Sequence, residues 1–349
     1  MNTFENSKVV VIGGAGFVGA NLTKLLLRDN PKIQVLVIDN LLSAERENLP
    51  VDSRLEFLKD SITSDRALAR IEDDVDYIFH LSTFHGNQSS IHDPLKDHEN
   101  NTLTTLKLMN HVKDFKKLKK LVYSAAGCSA AKKTFDAAEE TTEEAPISLT
   151  QDSPYSISKV VGEFYSVYFH KQHGLPTVRA RFQNVYGPGE VLGAGEWRGT
   201  SATVWRNVTP TFIYKAMHGQ AMQLHNGGDA SRDFIYVEDI CRGLMACALK
   251  GTPGDVYNIA SGRETTIRNW AEQIIEMTGA KAKLELLPKR DWDTSGKRFG
   301  STEKAKRELG FEAKMDPREG LERTIAWTKQ NLDFINTCIA KHADQMAKL

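Results

Sequence analysis

Tyr155 and Lys159, in the segment Ser153-Pro-Tyr-Ser-Ile-Ser-Lys159, are the two residues whose types and spacing point most directly to a reaction. Residues four positions apart share one face of a helix. A lysine ammonium beside a tyrosine stabilises the phenolate and so lowers the tyrosine pKa, which is ordinarily about 10. Such a tyrosine can accept a hydroxyl proton while a hydride leaves the same carbon atom. The lysine can also hold a nicotinamide ribose. The motif is common by itself, so its weight depends on the elements around it.

A glycine cluster near the N-terminus, Lys8-Val-Val-Val-Ile-Gly-Gly-Ala-Gly-Phe-Val-Gly19, predicts a dinucleotide site. Gly14, Gly16 and Gly19 fit G-x-G-x-x-G, and replacing Gly14 by Gly13 gives the looser G-x-x-G-x-x-G. The apolar residues before the cluster predict a strand, and a helix is predicted over 20–28. Glycine permits the sharp turn off the strand, the close approach of a pyrophosphate and tight packing of helix on sheet. The pyrophosphate is expected at the helix N-terminus. The alternative is an ordinary glycine turn in a βαβ unit.

Asp39 ends the second predicted strand, twenty residues beyond Gly19. An acidic side chain at this distance can accept hydrogen bonds from both hydroxyls of an adenosine ribose. The same carboxylate repels a 2′-phosphate. The sequence therefore predicts NAD rather than NADP as the cofactor.

Short apolar strands alternate with amphipathic helices from Lys8 to about Tyr123, and this pattern predicts an α/β fold. Several strands are almost continuously apolar, as a parallel sheet covered on both faces requires. The alternation predicts a Rossmann-type doubly wound sheet with ligands beyond the carboxyl ends of its strands. We expect an NAD-binding domain over residues 1–185, which includes Tyr155 and Lys159. A smaller α+β substrate-binding region is expected over 186–349, with some return of the chain to the first domain. The polar segment 132–144 is predicted to be a surface excursion.

The bulk composition argues against several kinds of partner. The 45 basic and 45 acidic residues cancel, which removes the electrostatic case for nucleic acid or an anionic membrane. The first residues lack the features of a signal peptide, and no apolar run is long enough to cross a bilayer. The four cysteines show no metal or disulfide spacing, so a cytoplasmic location is predicted. His80, His85 and His92 lack a partner at ligand spacing, so no metal site is predicted.

Further motifs carry a resemblance to a known family. Gly13–Gly19, Asp39, His80-Leu-Ser82, Asn101 and Tyr155-x-x-x-Lys159 resemble the extended short-chain dehydrogenase/reductase family. Arg181-Phe-Gln-Asn-Val-Tyr-Gly-Pro188 and Arg232-Asp-Phe-Ile-Tyr-Val-Glu-Asp239 resemble its nucleotide-sugar epimerases and dehydratases. Lys304-Ala-Lys-Arg-Glu-Leu-Gly310 is similar to the family's C-terminal pattern, so the likeness covers essentially the whole chain. Within the family, the sequence is most similar to the branch found in bacterial O-antigen gene clusters.

The site residues follow from the motifs, from the resemblance and from position along the chain. The residues predicted to bind NAD are Gly13, Gly16, Phe17, Val18, Gly19, Asp39, Asn40, Asp60, Ser61, Ile62, Leu81, Ser82, Asn101 and Lys159. The residues predicted to bind the nucleotide sugar are His85, Asn184, Asn207, Arg232, Arg290 and Asp293.

These assignments differ in their basis. The resemblance implies that Arg232 and Arg290 grip phosphate, which is chemically sensible because a guanidinium fork matches phosphate oxygens. It also implies that Asn101 steadies the catalytic network through buried hydrogen bonds. Asp60 is placed near an adenine edge only because it follows the third strand, and a solvated loop aspartate is the alternative. His85 is expected to line the sugar pocket because it follows the fourth strand.

The segment 124–129 departs from the family pattern. Ala126 lies where relatives usually carry a Ser or Thr that hydrogen-bonds the substrate hydroxyl together with the tyrosine. Ser124 and Ser129 are the candidates to replace it. Cys128 lies where dehydratases carry a glutamate and a 3,5-epimerase family carries an acid/base cysteine. A thiol of lowered pKa can exchange protons with a carbon acid. The alternative is that Cys128 is a small packing residue.

The resemblance implies an isomerase, an NAD-dependent nucleotide-sugar epimerase that acts at C4 of a UDP-hexose derivative through a 4-keto intermediate. The NAD would be tightly bound and recycled. A 4,6-dehydratase and a C3/C5 epimerase that uses Cys128 are alternatives, and a catalytically weak NAD- and nucleotide-binding protein is an alternative of another class. A homodimer built on the Tyr155 helix and the helix after Asn101 is also implied. The apolar residues Val160, Val161, Phe164, Val167 and Tyr168 fit this interface, and they fit packing on the sheet equally well.

Overall fold

The structure is a computed structural model that describes residues 3–130, 134–293 and 296–349, without the side chain of Ser129. The described strands are β1 (Lys8–Ile12), β2 (Gln34–Asp39), β3 (Leu55–Lys59), β4 (Tyr77–His80), β5 (Lys120–Ala126), β6 (Glu140–Thr141), β7 (Thr177–Phe182), β8 (Asn184–Tyr186), β9 (Met222–His225), β10 (Ser231–Arg232), β11 (Phe234–Tyr236), β12 (Val256–Ile259), β13 (Thr265–Thr266), β14 (Leu284–Leu287) and β15 (Phe299–Gly300).

The described α-helices are α1 (Phe17–Asp29), α2 (Asp65–Leu68), α3 (Asn87–His92), α4 (Pro94–Asp97), α5 (Thr104–Val112), α6 (Pro154–His173), α7 (Val208–Met217), α8 (Val237–Lys250), α9 (Ile267–Thr278), α10 (Pro317–Gln330), α11 (Leu332–Ala340) and α12 (Ala343–Met346). Shorter turns of 3₁₀ helix lie at Arg46–Asn48, Gly127–Ser129, Ser201–Thr203 and Asn226–Gly228. Two π-helical segments, His98–Leu103 and Ala305–Leu309, complete the helical elements.

Seven strands form one parallel sheet in the order β12-β7-β5-β4-β1-β2-β3. Hydrophobic clusters cover both of its faces, as the nearly continuous apolar strands require. The Rossmann-type α/β fold predicted from the sequence is therefore confirmed. The strand order reverses between β1 and β4, which are paired from Val9↔Tyr77 to Ile12↔His80. A crevice is expected beyond the carboxyl ends of the strands at such a switch point.

Helix α6 carries Tyr155 and Lys159, and both ends of it are well defined. The hydroxyl of Ser153 accepts a hydrogen bond from the N–H of Ser156, and Pro154 occupies the first turn, where its missing N–H costs nothing. The helix ends at Gly174, which has a left-handed conformation. Toward the middle, Glu163 forms a bidentate ion pair with Arg181 of β7, at 2.9 and 3.0 Å. Both side chains are almost completely buried, so the pair fixes α6 against the sheet.

The C-terminal part of the chain has its own hydrophobic cluster. Trp270 of α9 stacks on Phe234 with ring centroids 4.2 Å apart, and its indole N–H donates to the hydroxyl of Thr209 at 3.0 Å. Strand β12 nevertheless pairs with β7 in the central sheet, and helix α8 packs in the hydrophobic cluster on one face of that sheet. Both elements lie beyond residue 185. The division into two domains at residues 185/186 stays a prediction. The predicted return of the chain to the first domain corresponds to α8 and β12.

The expectation that segment 132–144 is a surface excursion is wrong for the end of the segment. Residues 131–133 lie outside the described part of the chain. Thr141 and Glu143 are buried, and β6 pairs in parallel with β15. A carboxylate oxygen of Glu143 accepts a hydrogen bond from the N–H of Asn258 at 2.8 Å, and its carbonyl accepts one from Arg181 at 3.0 Å. The acid-rich composition concealed these partners because they lie more than 35 residues away in the sequence.

Across residues 3–130, 134–293 and 296–349, no helix has the length and apolarity needed to cross a membrane. The same residues contain no group of His, Cys, Asp and Glu side chains arranged to hold a metal ion. All four cysteines have free thiols, and Cys128 is the one that is not buried.

Candidate functional site

A cavity of about 830 Å³ opens beyond the carboxyl ends of the central strands. It is one continuous space that runs from the glycine cluster after β1, past α6, to the C-terminal arginines. Almost all of the residues predicted to bind NAD or substrate lie on its wall. Those that do are Gly13, Gly16, Phe17, Val18, Gly19, Asp39, Asn40, Asp60, Ser61, Ile62, Leu81, Ser82, His85, Ser124, Cys128, Tyr155, Lys159, Asn184, Asn207, Arg232, Arg290 and Asp293.

The glycine turn after β1 is too crowded for any side chain at two of its positions. Gly13 has a φ of +78°, and a Cβ there would lie 2.5 Å from the backbone nitrogen of Ser82. A Cβ at Gly19 would lie 2.3 Å from the carbonyl oxygen of Gly13, so the first turn of α1 packs directly on the turn. Backbone nitrogen and carbonyl atoms cannot move aside as a flexible side chain can. The two glycines therefore hold the N-terminus of α1 against the ends of β1 and β4.

The N-terminus of α1 fits the pyrophosphate of a dinucleotide. In the part of the chain that the structure describes, no side chain caps this helix at Gly16. A Cβ at Gly16 would meet only one atom, the carbonyl of Gly13 at 3.3 Å, so the position opens toward the cavity. Free N–H groups and the helix dipole favour an anion there. Phe17 and Val18 would supply these backbone donors.

Asp39 is buried at the end of β2 and binds the glycine turn itself. Its two carboxylate oxygens accept hydrogen bonds from the N–H groups of Ala15, at 2.9 Å, and Leu41, at 2.8 Å. Burial raises the pKa of Asp39, and backbone hydrogen bonds from Leu41, Ala15 and Gly16 oppose the rise. The sequence predicted contact with a ribose but not this second role. Because Asp39 lines the cavity while it bonds to the turn, a ligand that binds its carboxylate would also affect the shape of the turn.

Asp60, Ser61 and Ile62 follow β3, the edge strand of the sheet next to β2, and line the cavity. The Asp60 carboxylate accepts a hydrogen bond from Arg66 at 2.7 Å, which holds the pKa of Asp60 below its ordinary value. It also accepts from the N–H of Ser61 at 2.8 Å. The carboxylate of Asp60 therefore already has protein partners, although Asp60 lies on the cavity wall together with Ser61 and Ile62.

Tyr155 and Lys159 face the cavity together from the first turns of α6, as the four-residue spacing predicts. The Lys159 Nζ lies 5.9 Å from the centre of the Tyr155 ring and donates to the carbonyl of Ser124 at 3.0 Å. Lys159 is only 4% exposed, and burial lowers its pKa to about 8. The charged ammonium therefore still predominates at pH 7, but it loses its proton more easily than an exposed lysine does.

The expected lowering of the Tyr155 pKa by Lys159 is not what the structure shows. Burial raises the pKa of Tyr155 well above its ordinary value, and the charges of Cys128 and Asp97 add to the rise. The positive charge that opposes it belongs to Arg298, which also lines the cavity. The sequence suggested the opposite sign because spacing reveals a neighbouring charge but does not reveal the loss of water around the phenol.

Ala126 occupies the position where the family pattern has a Ser or Thr, and its side chain has no hydroxyl. Ala126 is buried at the end of β5 and lines the cavity. The hydroxyl of Ser124 donates to the carbonyl of His80 at 3.0 Å, and Lys159 Nζ lies 3.5 Å from it. Ser124 therefore positions Lys159. The side chain of Ser129 lies outside the described residues. Cys128 is half-buried on the cavity wall.

His85 lies on the cavity wall against Tyr155, with ring centroids 6.2 Å apart in an edge-on arrangement. Its Nδ1 atom is buried and has no partner among the described residues. Burial lowers the pKa of His85 to about 3, and Arg206, Arg198 and Lys159 add to this effect. The ring is therefore neutral at physiological pH, with a polar atom that a sugar hydroxyl could satisfy.

A second helix N-terminus faces the cavity beyond Tyr155. Asn207 is the N-cap of α7 but makes no capping hydrogen bond in the described structure, and its amide donates instead to Glu190. Glu190 also lines the cavity and is 4% exposed, and burial raises its pKa to about 7. Asn184 reaches the same wall from β8. Sequence reasoning missed Glu190, since an isolated glutamate in a glycine-rich loop carries no motif.

Arginines from the C-terminal part of the chain also line the cavity. Arg232 donates to the carbonyls of Ser231 and Gly296, both at 2.6 Å. Burial lowers the pKa of Arg232, and the neighbouring Arg298 adds to the effect, so an anion between them is favoured. The guanidinium of Arg290 lies 5.7 Å from the centre of the Trp292 ring, and the charge of Asp293 acts on it. Arg298 was not predicted from the sequence.

Asn101 is the predicted cofactor-binding residue that does not lie on the cavity wall. It is buried in the π-helical segment His98–Leu103, where its amide oxygen accepts from the N–H of Phe84 at 2.7 Å. Its amide nitrogen donates to Asp97 at 2.7 Å. This position agrees with the expectation that Asn101 steadies the network, and it indicates an indirect effect on the cofactor through the loop that carries His85.

Residues 9–260 match the NAD dependent epimerase/dehydratase family. The chain belongs to this family. The match confirms the family predicted from the motifs, NAD as the cofactor and the chain as an enzyme.

Solved structures and curated proteins agree with this assignment. The crystal structure of the Bordetella bronchiseptica enzyme WbmF in complex with NAD⁺ and UDP has a TM-score of 0.90, 60% sequence identity and coverage of 99% of each chain. UDP-glucuronate 4-epimerase from Thermodesulfobacterium geofontis is 29% identical over 339 residues, which are 94% of this chain and 98% of that protein. A trifunctional UDP-glucose 4,6-dehydratase, 3,5-epimerase and reductase from Arabidopsis thaliana is 24% identical over 344 residues, and this chain spans about half of its length, 48%.

Proposed function

We propose that this protein is an NAD-dependent epimerase that inverts C4 of a UDP-hexose derivative through a 4-keto sugar. The observation that carries the proposal is the position of Tyr155 and Lys159 on the wall of the same cavity as the glycine turn and the arginines. Relatives named as UDP-sugar 4-epimerases and a similar structure containing UDP support the choice of reaction and nucleotide. The similarity of the motifs to the O-antigen branch supports a role in the synthesis of surface polysaccharide precursors.

The residues around the glycine turn would hold the cofactor. The N–H groups at the start of α1 would bind the pyrophosphate, Asp39 the adenosine ribose, and Lys159 the nicotinamide ribose. Bound NAD supplies reversible hydride removal and return at the sugar carbon. The protein supplies orientation and proton transfer.

Tyr155 would accept the proton of the C4 hydroxyl and later return it. Because burial disfavours its phenolate, the positive charge of Arg298 is needed to stabilise the ionised form during transfer. The low exposure of Lys159 keeps water away from the proton. The neutral His85 ring would orient the sugar through its unpartnered Nδ1 atom.

The diphosphate and nucleotide would occupy the opposite end. Asn207 and the N-terminus of α7 face this region, as do Arg232, Arg290 and Arg298. Fixing the diphosphate there leaves the sugar free to present either face to the reacting end. Asn184 would bind the diphosphate side of the substrate, and Asp293 the nucleotide ribose.

Incubation with a panel of UDP-hexoses in heavy water, followed by mass spectrometry and NMR, tests the proposal. A C4 epimerase yields the C4 epimer with no deuterium on carbon. Deuterium at C3 or C5 would favour the alternative in which Cys128 acts as acid and base. Loss of water from the product would indicate a 4,6-dehydratase, an activity named for one of the relatives. No turnover across the panel would leave a weakly active NAD- and nucleotide-binding protein, which Ala126 would explain.

Cys128 is the specific reason to keep C3/C5 epimerisation as a second candidate, because the thiol lies on the cavity wall beside Tyr155. Cys128→Ser would abolish such a reaction and leave C4 inversion in place. Cys241→Ser, at a buried cysteine that does not line the cavity, is the matched control.

A homodimer is also proposed, with α6 at its centre. Ile157, Phe164 and Tyr168 lie on one stripe of this helix and are 51%, 58% and 53% exposed, although large apolar side chains favour burial. Val160, in contrast, is buried. Light scattering should give twice the 39.0 kDa mass of the chain, and Phe164→Glu should give the monomer. A wild-type monomer would contradict this proposal. A cytoplasmic location stays a prediction, and the four free thiols are in keeping with it.

A further inference from the structure

His80 is a buried imidazole behind the wall of the cavity, and the proposed mechanism gives it no role. It is the last residue of β4, is 1% exposed and does not line the cavity. A buried polar ring is unfavourable unless both of its nitrogen atoms have hydrogen-bond partners. Its partners therefore indicate what it does.

The first partner, Thr105 of α5, decides which ring nitrogen carries the hydrogen. The Thr105 hydroxyl has a single hydrogen and donates it to the carbonyl of Asn101 at 2.7 Å. Thr105 Oγ1 also lies 2.9 Å from His80 Nε2, so in this second contact the oxygen accepts and the Nε2–H donates. Burial lowers the pKa of His80 to about 3, and the charge of Lys159 adds to this effect. The ring is therefore neutral at physiological pH, and its Nδ1 atom carries no hydrogen.

The second partner, Ser82, lies on the cavity wall just beyond the end of β4. Its Oγ atom lies 3.3 Å from His80 Nδ1. Because Nδ1 can only accept, the Ser82 hydroxyl donates to it. The hydroxyl has only one hydrogen, so its oxygen is left to act as an acceptor for a ligand in the cavity. A serine without this partner could either donate or accept.

The contacts around Ser82 place it beside the expected site of the nicotinamide ribose. Strand β4 lies between β1 and β5 in the sheet. On the β1 side, a Cβ at Gly13 would lie 2.5 Å from the backbone nitrogen of Ser82. On the β5 side, Ser124 donates to the carbonyl of His80 at 3.0 Å, and Lys159 donates to the carbonyl of Ser124 at 3.0 Å. Ser82 thus follows the strand that separates the pyrophosphate turn from the ammonium of Lys159.

A hydrogen-bond acceptor is the group that complements Lys159 at this position. The ammonium can only donate, so a ribose hydroxyl that binds it uses its oxygen as the acceptor. The hydrogen of that hydroxyl is then left to donate to another atom. The Ser82 oxygen can accept it, because the hydrogen of Ser82 is already donated to His80.

We propose that His80 is a positioning residue that holds the Ser82 hydroxyl as a hydrogen-bond acceptor for a hydroxyl of the NAD ribose next to the nicotinamide. Thr105 keeps the imidazole in the tautomer that this arrangement requires. The proposal rests on the proposed placement of that ribose beside Lys159. It does not depend on the sugar or on which of its carbons is inverted.

Isothermal titration with NAD and with ADP tests the role of Ser82. ADP carries the adenosine and the two phosphates of NAD but lacks the second ribose. Ser82→Ala should raise the Kd for NAD about threefold to tenfold, the effect of one lost hydrogen bond, and leave the Kd for ADP within about twofold. An unchanged Kd for NAD, or an equal rise for both ligands, would overturn the proposal.

Thr105→Val tests the same arrangement from outside the cavity, because Thr105 is 1% exposed and does not line it. Valine leaves the Nε2–H of His80 without an acceptor, so the ring should carry its hydrogen on Nδ1 and donate it to Ser82. The Kd for NAD should then rise as in Ser82→Ala, with no change for ADP. Thr105→Ser keeps the acceptor and should bind NAD as the wild type does. In the Ser82→Ala background, Thr105→Val should have no further effect, and an additive loss would refute the link through His80.

Thr177→Val is the matched control for the loss of a buried threonine hydroxyl. Thr177 is fully buried, donates to the carbonyl of Ser166 at 2.8 Å and does not line the cavity. The variant should lose stability and keep the wild-type Kd for both ligands. If it weakens NAD binding as much as Thr105→Val does, the effect of Thr105→Val is one of lost stability and the proposal fails.

NMR of the wild-type protein with ¹⁵N-labelled histidine tests the tautomer directly, even if Thr105→Val does not fold. The His80 ring should be neutral with its hydrogen on Nε2 from pH 6 to pH 8. Its signals are assigned by the shift of the Nδ1 resonance in Ser82→Ala, where that atom loses its donor. A hydrogen on Nδ1, or a charged ring, would overturn the proposal. A failure to invert C4 of any UDP-hexose would refute the proposed function and leave these NAD, ADP and NMR results as they are.

Discussion

The cofactor end and the reacting end of the cavity differ in how their polar groups are satisfied. At the cofactor end, Asp39 bonds to the backbone of the glycine turn, so the group that faces the ligand also holds the fold. At the reacting end, the Nδ1 atom of His85 is buried and has no partner among the described residues. Lys159 is buried there as well. The reacting end therefore carries a cost in stability that the cofactor end does not.

Tyr155→Phe should produce the largest effect and should act only at the reacting end. It removes the proton acceptor and leaves the glycine turn intact, so kcat/KM should fall by about 10²–10⁴ while NAD still binds. Steady-state kinetics and fluorescence titration of NAD measure the two quantities. Tyr165→Phe, on the same helix, should retain full activity. Full activity in Tyr155→Phe would remove this residue from the mechanism.

Gly13→Ala should produce the largest effect at the cofactor end, and it should reduce stability and NAD binding together. Its new Cβ would lie 2.5 Å from the backbone of Ser82, at a φ of +78°. We expect a loss of about 3 kcal/mol or more in the free energy of unfolding, measured by urea titration. Gly219→Ala also has a positive φ, of +64°, but meets no atom within 4 Å. It should lose only about 1 kcal/mol. Equal losses would show that strain in φ, rather than crowding, makes glycine necessary.

Asp39→Asn should also weaken NAD binding and reduce stability together, but less than Gly13→Ala does. The amide keeps one acceptor but loses the charge, so the Kd for NAD should rise about tenfold to a hundredfold, which is about 1.4–3 kcal/mol. The free energy of unfolding should fall as well, because one backbone N–H loses its acceptor. Isothermal titration with NAD and with NADP measures the preference, which should shift toward NADP. A change in NAD affinity with no change in stability would separate the two roles of Asp39.

Lys159→Met, at the reacting end, should abolish activity but raise the free energy of unfolding, whereas the variants at the cofactor end lose function and stability together. Because the folded pKa of Lys159, about 8, lies below its unfolded value of 10.5, the unfolded chain binds more protons between these pH values. Wild-type stability therefore rises with pH through this window, and the buried ammonium is most costly below pH 8. The variant should be about 1–3 kcal/mol more stable at pH 7, and this advantage should disappear as pH approaches 10.5.

Urea titrations from pH 7 to pH 10 measure this trend. Lys171→Met, on the exposed side of the same helix, should show no dependence on pH relative to wild type. A Lys159→Met protein that is less stable than wild type at pH 7 would contradict the cost assigned to the reacting end.

The sequence by itself determined the fold class, the cofactor and the pair Tyr155 and Lys159. Each of these depends on short-range information: apolar runs, glycine spacing after a strand, and residues on one face of a helix. The second strand ends at Asp39, as the sequence predicts. Such features are local because backbone geometry and hydrogen bonding within an element span only a few residues.

Only the tertiary structure decided the electrostatics and the supporting contacts of the reacting end. The raised pKa of Tyr155, the burial of Glu143 and the positions of Glu190, Arg298 and Asp97 depend on side chains brought together from distant segments. Spacing cannot reveal them because the loss of water around a group is set by everything packed against it. The sign of the Tyr155 pKa shift is the clearest case, since burial raises this pKa although a lysine lies four residues away on the same helix.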